Sequence, residues 1–206
     1  MLPRRLRISL DRRRHRHGPW AALFEDYQGD ELVSLDCETS SIDPARADIL
    51  SIGAVRIQGR RILTSEALDL KLAPPEDMDE ASLLVHRLRR QDLHGGLSVE
   101  EAIDRTLGFV GNRPILGYHI RFDIAVLDRQ LRDLHGFGLP NRAVELADTY
   151  VSRCGRAGDG IEADLRLETI ARQLDMPVPK GRHGAYLDAL FVATLYVRLM
   201  HGDRRR

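Results

Sequence analysis

The chain has 206 residues, 43% of them hydrophobic, and its 31 Lys and Arg balance its 31 Asp and Glu. This length and composition fit one globular domain with a core, and the lack of any run of about 18 apolar residues excludes a transmembrane helix and a membrane partner. Cys37 and Cys154 form no CxxC pair, which argues against a disulfide framework or structural zinc site and makes a cytoplasmic location the default expectation.

The first segment of the chain is an arginine-rich lead over residues 1–30. No apolar stretch follows its basic residues, so a secretory signal is not expected. Two interpretations remain open: a transit peptide over residues 1–19, or a flexible basic tail, which we favour. The predicted boundaries are this lead, one folded domain over residues 31–201 and a basic tail over residues 202–206.

Three apolar segments joined by short turns come next. Their alternation and β-branched residues predict strands over residues 32–36, 49–57 and 61–72, with a hairpin turn at residues 58–60. Residues 39–48 carry the Thr, Ser, Asp and Pro that are typical of a turn. Because consecutive strands joined by short turns usually pair, the pattern predicts an antiparallel three-strand meander at one side of a sheet.

The remainder of the chain is predominantly helical in its pattern. Ser98 and Glu101 form a capping box at a helix start, and Gly136 is expected to end a helix. A short apolar strand is predicted over residues 114–118. Helices are predicted over residues 82–93, 99–110, 122–134, 165–174 and 185–200. This order of elements predicts an α/β fold with a mixed central sheet flanked by helices.

Two carboxylates follow the first predicted strand. Side chains alternate along a strand, so Asp36 and Glu38 share one face while Cys37 points to the other. Like charges on one face repel each other, and a divalent cation with a preference for oxygen ligands would relieve that repulsion. Taken alone, the pair has a second interpretation, because acidic residues at strand ends often simply face water.

Further polar residues stand beside two predicted helices. Asp123 lies near a helix start, where an aspartate ordinarily complements the helix dipole. Asp188 lies one turn into the apolar C-terminal helix, where a buried carboxylate needs a cation or exposure to water. His183 precedes that helix between Gly181 and Gly184, and a surface histidine is the ordinary interpretation of such a residue.

Taken together and in order, these residues resemble the motifs of a known family. The matching segments span residues 32–200 and are Asp36-Cys37-Glu38-Thr39, Ile52-Gly53-Ala54, Phe122-Asp123, Asp148-Thr149, and His183 with Asp188. The set resembles the DEDD exonucleases with a catalytic histidine, the family of the proofreading subunit of bacterial DNA polymerase III. The resemblance implies a ribonuclease-H-like fold and removal of nucleoside 5′-monophosphates from the 3′ ends of DNA.

The resemblance also implies roles for individual residues. Asp36, Glu38, Asp123 and Asp188 would ligate two divalent cations, Mg²⁺ or Mn²⁺, and His183 would be the general base. The expected partner is nucleic acid with a free 3′ end, single-stranded DNA being favoured, and a DNA polymerase III or repair partner is a further expectation.

Substrate contacts are expected next to the metal ligands. The resemblance assigns them to Thr39, Ile42, His119 and Phe122, with Ile42 beside the terminal base, whereas core packing is the alternative for Phe122. The chain departs from the family where Tyr118-His119 replaces a common His-Asn and where Ser40-Ser41 follows Glu-Thr. Both departures concern the fit of the terminal nucleotide.

Two alternative functions share this fold. One is an exoribonuclease that trims RNA, since the contact to a 2′-hydroxyl depends on the geometry of the cleft. The other is a non-catalytic nucleic-acid-binding module, which the presence of all five polar residues disfavours. Neither lysine, Lys71 or Lys180, follows the glycine pattern of a phosphate-binding loop, so a nucleotide-driven motor is excluded.

Overall fold

The computed structural model describes residues 3–73, 95–154, 164–179 and 184–202. A five-stranded mixed sheet, in the order β3-β2-β1-β4-β5, forms its centre. The strands are β1 (Glu31–Thr39), β2 (Ile49–Gln58), β3 (Arg61–Lys71), β4 (Ile115–Gly117) and β5 (Ala143–Glu145). The helices are α1 (Arg4–His15), α2 (Val99–Val110), α3 (Ile120–His135), α4 (Leu146–Cys154), α5 (Leu167–Gln173) and α6 (Ala185–His201).

The predicted meander is confirmed. β1 pairs antiparallel with β2, and β2 pairs antiparallel with β3 across a tight turn in which Gly59 has a φ of 57°. Glycine adopts this left-handed conformation without the steric cost that other residues meet. β4 and β5 extend the sheet on the other side of β1 and run parallel to it, so the predicted mixed sheet is confirmed as well.

Helices cover both faces of the sheet. On one face, side chains of α2 and α3 such as Leu107 and Leu127 pack against Leu35 of β1. On the other face, α4, α5 and α6 pack around Val55 and Leu116. The parallel strands therefore lie buried between helical layers, as crossover connections require.

Local signals set the helix boundaries that the sequence predicted. The Ser98 side chain accepts a hydrogen bond of 3.1 Å from the backbone N–H of Glu101, which caps α2. Gly136, with a φ of 76°, ends α3 and donates its N–H to two carbonyls of the last turn. The predicted helices at residues 165–174 and 185–200 correspond to α5 and α6, and the one predicted over residues 82–93 lies outside the described residues.

The described part of the lead predicted over residues 1–30 contains two helices, and its flexibility stays a prediction. Residues 4–15 form α1, and a 3₁₀ helix, Ala21–Phe24, buries Leu23 and Phe24 in the core. The face of α1 that contacts the domain contains Arg4, Ile8 and the buried Asp11. Because two of these three residues are charged, the sequence of α1 does not show apolar residues at helical spacing. Arg4 donates hydrogen bonds to the carbonyls of Leu139 and Asn141 at 3.0 and 2.8 Å.

Two further elements were not predicted, namely β5 and α4. β5 has only three residues, too few to show an alternation of apolar and polar residues in the sequence.

Among the described residues, no helix has the length and apolarity needed to cross a membrane. The domain boundaries at residues 31 and 201 stay a prediction.

Candidate functional site

Asp36 and Glu38 lie on the same face of β1 near its carboxyl end. Both side chains are half-buried, whereas Leu35 and Cys37 are buried against the opposite face. Cys37 is a free thiol in the core, as the sequence predicted. Asp36 is paired with Gly53 of β2 and Glu38 with Ser51, and the register shifts directly after Glu38. The strand therefore presents two carboxylates in the last regular part of its ladder.

Asp123 approaches β1 from the first turn of α3. β4 pairs with β1 only at Val33 and Ser34, so the backbone N–H of Cys37 lies beyond the end of that ladder. The Asp123 carboxylate accepts this N–H at 3.0 Å and is itself buried, with 5% of its surface exposed. A side chain thus continues the hydrogen bonding of β1 where β4 ends, which fixes Asp123 beside Asp36.

Asp188 reaches the same point from the first turns of α6. This helix crosses β1 and β2, and the Ser34 hydroxyl donates a hydrogen bond of 2.7 Å to the carbonyl of Ala189. A Cβ at Gly53 would overlap the backbone of Ala185 and Tyr186, so only glycine allows α6 to lie this close to β2. Gly53 is therefore a structural requirement for the position of Asp188.

Three of the carboxylates converge. Asp36, Glu38 and Asp188 each offer an oxygen, and these atoms all lie within 4.8 Å of one another. Burial raises the pKa of Asp36 well above its usual range, and the charges of Asp123, Asp188 and Glu38 raise it further. Burial, together with Glu145 and Glu38, raises the pKa of Asp123 to about 7 against the lowering effect of its backbone hydrogen bonds.

This donor set fits a hard divalent cation. All its members are carboxylate oxygens, which Mg²⁺ and Mn²⁺ prefer, and no thiol or imidazole stands among the three clustered residues. A bound cation would also offset the repulsion that raises the pKa of Asp36. Asp36, Glu38 and Asp188 could therefore hold such an ion, with Asp123 next to them.

Glu145, which the sequence did not single out, anchors the helix that carries Asp123. Its carboxylate accepts the backbone N–H groups of His119 and Ile120 at 3.1 Å each. His119 is the N-cap residue of α3, but its φ of 56° is left-handed and its side chain makes no capping hydrogen bond. Glu145, at the end of β5, therefore caps α3 in its place. A three-residue strand offers no sequence signal for this role.

A cleft of about 820 Å³ lies at the start of α3, and Phe122, the residue before Asp123, is part of its wall. Tyr118, His119, Arg121 and Phe122 line one part of it, and Glu145 and residues 164–166 line another. Phe122 also packs against the hydrophobic core, which was the alternative role predicted for it, and its contact with substrate stays a prediction. The Tyr118 hydroxyl donates a hydrogen bond of 3.1 Å to the carbonyl of Leu165, which joins the two parts.

The loop after β1 begins next to the two carboxylates of that strand. The Thr39 side chain is buried and donates a hydrogen bond of 3.0 Å to the carbonyl of Ser41. Ile42 is 91% exposed, an unusual position for a large apolar side chain. Ser40 and Asp48 close the loop through hydrogen bonds of 2.8 and 2.9 Å. Thr39 directly follows Glu38 in β1, and the contacts of Thr39 and Ile42 with substrate stay a prediction.

His183 lies outside the described residues, so its predicted role as general base stays a prediction. The structure brings together the other four predicted polar residues, Asp36, Glu38, Asp123 and Asp188. Their role as metal ligands stays a prediction. His119 and Phe122 lie at the cleft, where substrate contact was predicted for them.

Comparison with known proteins identifies relatives. The model of the exonuclease family RNase_T matches residues 33–196. The PolC-type DNA polymerase III of Thermotoga maritima is 25% identical over 170 residues, which cover 82% of this chain and 12% of that protein. The DNA polymerase III subunit epsilon of Rickettsia conorii is 26% identical over 180 residues, covering 82% of this chain and 74% of that protein.

An RNA-directed relative and a solved structure complete the comparison. The oligoribonuclease of Streptomyces griseus is 25% identical over 121 residues, which cover 52% of this chain and 60% of that protein. The structure of E. coli exonuclease I in complex with a 5cy-dT13 oligonucleotide superposes with a TM-score of 0.66 at 20% identity, covering 86% of this chain and 42% of that one. The fold is therefore the ribonuclease-H-like α/β fold that the sequence predicted.

Proposed function

Because the chain belongs to the RNase_T exonuclease family, we propose that it is a metal-dependent 3′→5′ exonuclease that releases nucleoside 5′-monophosphates from single-stranded DNA. One observation carries the proposal: carboxylates from β1 and α6 converge to within 4.8 Å, where burial and the nearby charge of Asp123 of α3 raise the pKa of Asp36. A non-catalytic binding module has no need of such a cluster, since like charges destabilise the fold and repel phosphate.

Asp36, Glu38, Asp123 and Asp188 would hold the divalent cations in this proposal. When bound, Mg²⁺ or Mn²⁺ would lower the pKa of a water and stabilise negative charge on the scissile phosphate. Asp123 is kept in place by the N–H of Cys37 and Asp188 by the packing of α6 at Gly53. The ligands therefore stand on rigid elements, which is how a site of this kind keeps its geometry during a reaction.

His183 is the proposed general base. It precedes Asp188 by five residues in the sequence, and imidazole has a reference pKa of about 6.5, which suits proton transfer near neutral pH. It would take the proton of the attacking water and pass it to solvent. The role follows from the order of the motifs, and removal of this side chain is a direct test of it.

The cleft at the start of α3 is the proposed binding site of the strand end. Single-stranded nucleic acid binds through stacking on aromatic rings and through positive charge. Tyr118 and Phe122 supply rings, and Arg121 supplies an exposed guanidinium group. Ile42, on the loop after β1, is proposed to add an exposed apolar side chain. Thr39 and His119, on the loop and at the helix start, are proposed to contact the terminal nucleotide.

DNA is the favoured substrate because two of the relatives are named as DNA polymerase III proteins. RNA trimming is the second candidate, and the similarity to an oligoribonuclease favours it. Both activities use the same phosphodiester chemistry and differ in whether the cleft accepts a 2′-hydroxyl. Association with a polymerase is a further proposal from the same relatives, and co-purification with DNA polymerase III subunits would test it.

A ladder experiment tests the function. The protein is incubated with 5′-labelled single-stranded DNA, duplex DNA and RNA of one sequence, with Mn²⁺, Mg²⁺ or EDTA. We expect a descending ladder on single-stranded DNA with metal and none with EDTA. A ladder on RNA alone would establish the exoribonuclease. Binding without cleavage of any of the three would establish the non-catalytic module. The control is Asp36→Asn, which removes one carboxylate of the cluster.

A further inference from the structure

A basic patch lies at the carboxyl end of α1, outside the proposed active site. It consists of Arg13, Arg14 and Arg16, whose side chains are exposed at the end of the helix. Within the described part of the chain none of the three makes an ion pair. Arg5 and Arg12 are not counted, because they line a groove of about 690 Å³ whose other wall carries Glu25 and Asp26.

The helix holds this patch in a defined position. On its inner face Arg4 donates to two backbone carbonyls, Ile8 packs against the core, and Asp11 is buried. The His15 ring packs edge-on against Phe137 at 5.0 Å between ring centroids. The arginines therefore stand on an anchored helix. They lose less conformational entropy on binding than arginines on a flexible tail would lose.

Helix stability alone does not account for three arginines. Basic residues in a last turn do complement the helix dipole, but the carboxyl end of a helix carries only about half a negative charge. Three guanidinium groups exceed that charge several-fold. Leu6 and Leu10, the exposed apolar residues of the same helix, are two single side chains, too few for an apolar docking face. The chemistry of the patch matches a polyanion.

The position of the patch relative to the carboxylates follows from α3. Asp123 lies in the first turn of α3, and the His15 ring packs against Phe137 just past its end. At about 1.5 Å of rise per residue, these two ends of α3 are roughly 20 Å apart. A stacked strand rises about 3.4 Å per nucleotide, so a strand must extend at least about six nucleotides from the carboxylates to reach the patch.

We propose that the α1 patch binds the phosphate backbone of a nucleic-acid strand at least about six nucleotides upstream of the 3′ end held at the carboxylates. The inference rests on the proposed function, since it assigns a second contact to the same substrate. It adds affinity for long strands and leaves the chemistry at the 3′ end unchanged. Dissociation during successive cleavages would then become rarer on long strands than on short ones.

Binding in EDTA tests the patch without any cleavage. The affinities of a 16-nucleotide and a 4-nucleotide single-stranded DNA are measured for three proteins. They are the unmodified protein, the patch variant Arg13→Gln/Arg14→Gln/Arg16→Gln, and a control variant. The control is Arg60→Gln/Arg61→Gln/Arg172→Gln, whose arginines are also exposed. We expect the first variant to bind the 16-mer about tenfold or more weakly at low salt, with a salt slope smaller by about 2. The 4-mer and the control variant should show no change.

Each other outcome is decisive. Equal affinity of the two variants for the 16-mer, or an equal loss for both lengths, would overturn the patch as a strand contact. Tighter, arginine-dependent binding to phosphatidylserine vesicles than to the 16-mer would overturn it in favour of a membrane surface. Cleavage of the 4-mer with Mn²⁺ is measured separately, so a failure of the proposed function shows as no cleavage by the unmodified protein. Circular dichroism checks that α1 stays folded.

Discussion

Gly53→Ala is expected to disable the site although residue 53 carries no functional group. A Cβ at this position would overlap backbone atoms of Ala185 and Tyr186, whereas non-bonded carbons ordinarily stay about 3.5–4.0 Å apart. The start of α6, and Asp188 with it, must therefore retreat by at least about 1 Å to restore that spacing. Metal sites tolerate displacements of about 0.2 Å, and misplacement by 1 Å costs a reaction roughly 100-fold.

The assay compares metal-stimulated cleavage and thermal unfolding of this variant with those of Gly108→Ala. Gly108 lies exposed in α2 with nothing within 4 Å of an added Cβ, so alanine there should stabilise the fold by about 0.5–1 kcal/mol. Gly53→Ala should instead cost about 1–3 kcal/mol through overpacking and lower turnover about 100-fold or more. Turnover near that of the unmodified protein would refute the argument that α6 positions Asp188 through this contact.

Four further outcomes follow from the site. In EDTA, Asp188→Asn should raise the melting temperature by relieving repulsion, yet it should abolish cleavage with Mn²⁺; a lower melting temperature would contradict the proposed repulsion. The metal-free protein should lose stability as pH rises from about 4 to about 7, because the folded pKa of Asp123, about 7, exceeds its unfolded value near 3.9; Asp123→Asn should flatten this dependence in a pH series of melting curves. Glu145→Ala should lower the free energy of unfolding by about 1 kcal/mol, because it uncaps α3. It should also weaken Mn²⁺ binding measured by calorimetry, and an unchanged Mn²⁺ affinity would count against the capping argument. His183→Ala should slow cleavage by roughly 10²–10⁴-fold with little change in affinity for DNA, whereas the control His201→Ala should cleave normally, and equal rates would remove His183 as the base.

Much of the fold could be predicted because local signals agree with it. The meander follows from alternating apolar residues and a glycine turn. The start of α2 follows from Ser98, which caps the helix by accepting the backbone N–H of Glu101. The carboxylates could also be predicted, since Asp36 and Glu38 lie two residues apart on one strand. Their meeting with Asp188 came from the family resemblance, because residues that lie 150 positions apart have no local signal that joins them.

The features that were missed depend on tertiary contacts. α1 packs with a polar inner face, whose hydrogen bonds to the carbonyls of Leu139 and Asn141 exist only once the loop before β5 is folded. Glu145 caps a helix that begins 25 residues earlier in the chain, so no capping motif records it. Gly53 was noted as part of a motif, but its reason, the approach of α6, appears only in the packed structure.

Anomalous diffraction from a crystal soaked in Mn²⁺ tests the metal site most directly. We predict a Mn²⁺ peak among the carboxylates of Asp36, Glu38 and Asp188, with oxygens about 2.0–2.2 Å from the ion, and a second ion bound in the presence of nucleotide. Saturating Mn²⁺ that gives no peak at these side chains, while binding elsewhere or nowhere, would contradict the account.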